Sequence, residues 1–155
     1  MGTVIRPEVS KSNRYWISRH RYYELKHHCL QYPEWQEIVR NIPYLQSRLA
    51  ANPNHTAEWQ DATERLAERL DIYKSKISRV ENLVKVAGGD LADWLLIGVT
   101  QGVSYVKLRD NYGIPCCKET YYEAYRKFFW LISQELHMLL CKQINSFSKG
   151  GFYET

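Results

Sequence analysis

Long apolar runs are missing from this chain of 155 residues. A membrane-spanning helix needs roughly 20 consecutive apolar residues. The most apolar stretch, LADWLLIGV at 91–99, is far shorter and carries Asp93. The N-terminal MGTVIRPEVSKSNRYW lacks the apolar centre of a secretory signal, and Arg6 stands where a myristoylation motif has a hydroxyl. The expectation is a soluble, cytoplasmic protein without membrane contact.

Catalytic signatures are missing as well. The chain has no Walker loop, no GxGxxG, no G-x-S-x-G, no HExxH and no convincing pair of carboxylates. His20, Glu24 and His27 or His28 recur at helical spacing but lack that metal-binding pattern. Cysteine is scarce: Cys29, Cys116, Cys117 and Cys141. Adjacent Cys116 and Cys117 cannot form a C-x-x-C ligand pair, and consecutive residues of HHC at 27–29 point different ways on a helix. These absences predict no enzyme, no metal and no cofactor, with free thiols of the kind a reducing compartment keeps. Neither alternating strand patterns, internal repeats nor low-complexity segments occur. That leaves an all-α chain.

Aromatic residues are abundant: five Trp and twelve Tyr bring large buried area with polar tips that need partners. The net charge of +4 is unevenly placed. Residues 1–40 carry seven Lys/Arg against four acids, residues 41–100 seven against eight, and residues 101–155 seven against five. Basic ends permit an anionic partner without demanding one.

Helical stripes divide the chain into an arm and helical pair (1–55), a long helix (56–88), a glycine-punctuated helical region (89–146) and a flexible tail (147–155). Residues 1–16 read as a loosely ordered arm. Ser18 suits an N-cap, and Tyr22, Leu25 and Cys29 form one stripe. Pro33 opens a second short helix with Trp35, Ile38 and Val39 inward, and Pro43 is expected to stop it, with IPYLQSRLAAN adding another turn or two. ANPNHT at 51–56 is a loop. Trp59, Thr63, Leu66, Leu70, Tyr73, Ile77, Val80 and Val84 then fall at alternating gaps of four and three, a heptad seam. That seam packs on the N-terminal helices or pairs two chains into a homodimer, with imperfect Thr63 and Tyr73 favouring the former. Gly88-Gly89 ends the helix, Asp90 suits a cap for the next, and Gly102 closes it.

The stretch SYVKLRDNYGIPCCKETYYEAYRKFFWLISQ at 104–134 follows helix-turn-helix grammar. Ser104 caps a short helix, Gly113 permits the turn, Ile114 plugs the angle, and a helix runs from Cys116–Lys118 to about Leu140. Tyr121, Tyr125, Phe128, Ile132, Leu136 and Leu139 define its buried stripe. Lys118, Tyr122 and Arg126 then make an exposed ridge for base edges. Lys107, Arg109 and Lys127 suit phosphates, and Arg19, Arg21 and Lys26, interleaved with Tyr22 and Tyr23, suit a nucleic-acid backbone or the rim of a protein interface.

Leu91 to Ser133 resembles the helix-turn-helix of sigma-factor region 4 and of small phage regulators built on it. The pairing of SRHRYYELKHHCLQYPEW with IPCCKETYYEAYRKFFWLI looks like uncharacterised prophage proteins of Gram-positive bacteria. Arg109 departs from the small residue usual in the sigma family. The resemblance implies a bacterial cytoplasmic, phage or mobile-element transcription regulator on double-stranded DNA. The rival is a phage interaction protein that disables a host protein or a nucleic-acid-guided defence nuclease, in the manner of an anti-CRISPR. A third reading is a packaging or structural oligomer built on the seam. The gene-regulator reading needs the Lys118–Tyr122–Arg126 edge to be free; a structure showing that edge packed inside the molecule, or plugged into another polypeptide, would end it.

Overall fold

The computed structural model describes residues 11–51 and 57–149. Among them are six α-helices and no strand: α1 (Arg19–Leu30), α2 (Tyr32–Ala50), α3 (Ala57–Gly88), α4 (Ala92–Gln101), α5 (Tyr105–Tyr112) and α6 (Lys118–Lys149), with a 3-10 turn at Gly89–Leu91. The all-α expectation holds: a helical pair, a long patterned helix, and two helices joined by a glycine turn, the last of them extended.

The Ser18 side chain accepts from the Arg21 N–H and caps α1. Tyr22, Leu25 and Cys29 are all buried along the stripe their spacing defines. Gln31 ends α1, and Pro33 fits the first turn of α2, where its missing N–H has no helical partner to lose. Pro43 does not stop α2, which continues to Ala50. Pro43 is exposed, so water can take the carbonyl freed one turn upstream, and the Ser47 hydroxyl donates to the Pro43 carbonyl at 3.0 Å.

Helices α2 and α3 form a hairpin. The Tyr32 hydroxyl donates to Glu81 at 2.6 Å, and the Lys76 ammonium lies 5.4 Å from the Trp35 ring centre and 5.1 Å from that of Tyr73. The seam of α3 is used within the chain. Val80 and Val84 are buried, while Trp59, Leu66, Leu70, Tyr73 and Ile77 are half-buried. Thr63 is exposed, its hydroxyl turned to the Trp59 carbonyl, and Ala62 is the half-buried residue of that turn. The seam is thus buried within the chain at Val80 and Val84 and only partly covered toward Trp59. The loop expected at 51–56 lies, beyond Ala51, outside the described residues.

Gly89 (φ 53°) ends α3, but Asp90 caps nothing: it lies exposed in the 3-10 turn, and Leu91 holds the N-cap position of α4. Gly102 and Gly113 take the left-handed conformation that closes α4 and α5. Ile114 is buried and donates its N–H to the Leu108 carbonyl at 3.3 Å, which fixes the turn into α6. Helix α6 runs antiparallel to α3: Arg79 meets Glu135 at 3.3 Å, while Ala87 and Gly88 share a cleft with Thr120 and Ala124. Helix α1 packs across α4 and α6. Ile17, the helical pair, α3 and the C-terminal helices thus share one core, with Phe128, Phe129 and Tyr121 at its centre.

Helix α6 does not end near Leu140; it extends to Lys149, and residues 140–146 are all exposed. Residues 150–155 of the expected tail lie outside the described residues. No described helix is long and apolar enough to cross a membrane.

Candidate nucleic-acid interface

The expected ridge on α6 is not free. Lys118 is exposed, with its ammonium 5.9 Å from the Tyr122 ring centre. Tyr122, however, is only 8% exposed and packs among the rings of Tyr105, Tyr121 and Tyr125. Burial raises its hydroxyl pKa. Arg126 is half-buried, and its Nε is enclosed without a hydrogen-bond partner. The cause is a second buried stripe. Besides the expected Tyr121, Tyr125, Phe128 and Ile132, the helix buries Tyr122, Ala124 and Phe129. Tyr22 of α1 lies across that side, 5.1 Å from the Phe129 ring and hydrogen-bonded to the Tyr125 hydroxyl at 2.9 Å. Periodicity within α6 reveals one packing partner; it is silent about a helix arriving from 100 residues upstream.

The start of α6 is open. Cys117, Lys118, Glu119, Thr120 and Glu123 are exposed and Lys127 is half-buried. Thr120, Glu123 and Lys127 recur at three and four residues, so they share one outward side. The Cys117 thiol and Thr120 hydroxyl lie 3.1 Å apart. The turn before them is braced from both flanks: the Tyr105 hydroxyl donates to the Cys116 carbonyl at 2.7 Å, and the Trp94 indole N–H to the Tyr112 carbonyl at 2.9 Å.

The remaining cations divide by partner. Lys107, Lys118 and Lys127 have no carboxylate partner among the described residues. Arg109 contacts Asp110 at 2.9 Å, and that carboxylate raises its already high pKa; both side chains are well exposed, so the pair holds Arg109 only loosely. Arg19 is exposed, its guanidinium 5.9 Å from the Tyr23 ring centre, and Lys26 is half-buried. Arg21 is structural rather than free. Its Nε donates to the Ser133 hydroxyl at 3.2 Å and its guanidinium pairs with Glu24 at 2.9 Å, which ties α1 to α6.

Arg14 is a cation the sequence did not single out. Residues 14 and 15 of the expected loose arm pack on α6. The Arg14 guanidinium lies 4.6 Å from the Tyr15 ring centre and 3.9 Å from Glu123, and Tyr15 lies 5.9 Å from the Trp130 ring. These residues, with Thr120 and Lys127, wall a cleft of about 230 Å³ floored by Gly88 and Leu91. Only an Arg-Tyr pair in a polar arm hinted at this.

His27, His28 and Cys29 diverge. His27 is exposed, Cys29 is fully buried, and His28 packs edge-on to Trp35 at 4.9 Å. Burial, then Lys76 and Arg79, push the His28 pKa down. Among the described residues no three His, Cys, Asp or Glu side chains gather where a metal ion would fit. Comparison with protein-family models, curated proteins and solved structures gives no match to this chain.

Proposed function

We propose that this chain is a phage interaction protein that binds and disables a host protein or a nucleic-acid-guided defence nuclease in the bacterial cytoplasm. The gene-regulator reading needs a free Lys118–Tyr122–Arg126 edge, and Tyr122 and the Nε of Arg126 are enclosed. The observation that carries the interaction reading is the exposed start of α6, where Glu119 and Glu123 stand with Lys118 beyond a glycine turn braced from both flanks, together with exposed Tyr44 and Leu45 on α2. Capture from host lysate with and without nuclease tests it. A partner is held after nuclease, and Lys118→Ala with Glu119→Ala loses at least tenfold in affinity for it while keeping native helicity. Loss of every partner on nuclease treatment sinks the reading.

A second reading, duplex DNA binding without Tyr122 and Arg126, is favoured by Lys107 and Lys118, exposed and without a carboxylate partner among the described residues. A steep salt dependence on bare duplex supports this second reading; a partner held after nuclease supports the first.

A further inference from the structure

Two exposed side chains near the end of α6 stand at a separation that a metal ion uses. The Cys141 sulfur lies 3.7 Å from Nε2 of His137, one turn earlier on the same side of the helix. Both residues are exposed. As a hydrogen bond the contact is weak, because a thiol is a poor donor and water competes at both atoms. As a pair of ligands it is well placed. Zinc holds a thiolate sulfur at about 2.3 Å and an imidazole nitrogen at about 2.0–2.1 Å, so the two lie roughly 3.5 Å apart around a tetrahedral ion. The His137–Cys141 pair is already close to one edge of that tetrahedron. H-x-x-x-C on a helix is a spacing outside the HExxH and C-x-x-C patterns that the sequence lacks.

The described chain does not supply the other ligands. Residues 136–149 contain no Asp or Glu and no further His or Cys. Glu135, two residues from His137, points to the opposite side of the helix, where it meets Arg79 at 3.3 Å. Among the described residues no third ligand joins the pair. A structural zinc site takes four protein ligands, and a two-fold axis turns two into four. The surface allows that approach. His137, Leu140, Cys141 and Ile144 recur at i, i+3, i+4 and i+7 and form one stripe. All four are exposed, so no described part of the chain covers the stripe.

We infer that His137 and Cys141 are half of a zinc site, which two copies of this chain complete as Cys2His2 on a two-fold axis. Each thiol releases its proton to solvent on binding, and the two thiolates balance the charge of the ion. The ion brings the Leu140–Ile144 flanks of the two copies together. This site goes beyond the interaction reading and uses neither the start of α6 nor α2.

Titration of the metal-free, reduced chain with Zn2+ under anaerobic conditions tests it. The chain is expected to pass from its 18.4 kDa mass to twice that value while taking up one ion per two chains, and a chelator is expected to reverse the change. Co2+ in place of Zn2+ is expected to show the visible bands of a tetrahedral ion with thiolate ligands. Cys141→Ser and His137→Gln are each expected to lose at least tenfold in zinc affinity and to stay monomeric. Thermal unfolding of the metal-free variants is expected to match the native chain, because both side chains are exposed, and Cys117→Ser is expected to behave as the native chain throughout. Failure to take up zinc at micromolar concentration overturns the inference. So does uptake of one ion per chain without a change in mass, or a zinc-dependent dimer that survives both Cys141→Ser and His137→Gln. A dimer that persists in chelator, is lost on reduction and depends on Cys141 but not on His137 is a disulfide between copies, and it overturns the metal site as well.

Discussion

The Tyr121 hydroxyl occupies the space that a side chain on Gly98 would fill. Helix α4 therefore tolerates glycine at its centre so that α6 can lie close against it. The arrangement leaves a residue of frustration, since that hydroxyl is buried without a partner. Gly98→Ala is expected to destabilise by about 1–3 kcal/mol through overpacking, despite the gain in helix propensity. Tyr121→Phe is expected to stabilise by about 1 kcal/mol by removing an unsatisfied group. In the Tyr121→Phe background, Gly98→Ala should become neutral or favourable. Thermal unfolding of the four proteins checks the cycle; additive effects would show that the two sites do not meet.

Tyr22 and Tyr125 offer the opposite case, two buried hydroxyls that satisfy one another at 2.9 Å. Removing either by substitution with Phe strands the other and should cost about 1–2 kcal/mol, whereas removing both should cost less than either alone. Urea unfolding of the single and double variants measures the coupling. Since this pair joins α1 to α6, a coupling near zero would mean the helices are not held there.

Stability should fall on both sides of neutrality. Burial raises the pKa of Tyr22, Tyr32, Tyr121, Tyr122 and Tyr125 above the ordinary 10.0, with Glu81 adding to the effect on Tyr32. A raised value means the folded chain holds those protons longer than the unfolded one. The stabilisation is full below pH 10 and is lost as pH rises beyond it. Tyrosinate absorbance from these five should appear together with loss of far-ultraviolet circular dichroism, not before it. On the acid side, His28 is held below its ordinary 6.5, so its contribution is present above that pH and declines as pH falls through the depressed value. His28→Gln should flatten the acid limb alone.

The thiols should separate by rate. Cys117 and Cys141 are exposed, Cys116 is half-buried with its pKa raised, and Cys29 is enclosed with its pKa pushed up to about 12. Only the thiolate alkylates appreciably. At pH 8, mass spectrometry after brief iodoacetamide treatment should find label first at Cys117 and Cys141, more slowly at Cys116, and at Cys29 only once the chain is unfolded. Early label at Cys29 would contradict the packing of α1.

Much of the fold was legible because local rules and tertiary packing agree. Tyr22, Leu25 and Cys29 are spaced for one face and bury that face; Gly102 and Gly113 stand where the chain must turn left-handed. Pro43 misled because its cost falls on a carbonyl that water reaches, and Asp90 because a 3-10 turn takes the place of a capped start. The site was less legible. Whether Tyr122 and Arg126 face outward depends on where α1 lies, and nothing in the periodicity of α6 encodes a helix distant in sequence. Arg14 was hidden for the same reason: its neighbours Glu123 and Lys127 belong to the far end of the chain.

Helix α3 is uninterrupted over 32 residues, a rod of about 48 Å. One extremity forms half of the hairpin with α2, and the other, at Gly88, floors the cleft beside the opening turn of α6. A stiff beam with no internal proline or glycine before that extremity cannot pivot at its middle. Whatever clamps the hairpin end fixes the attitude of the opening turn as well, so the two extremities are oriented as a single lever.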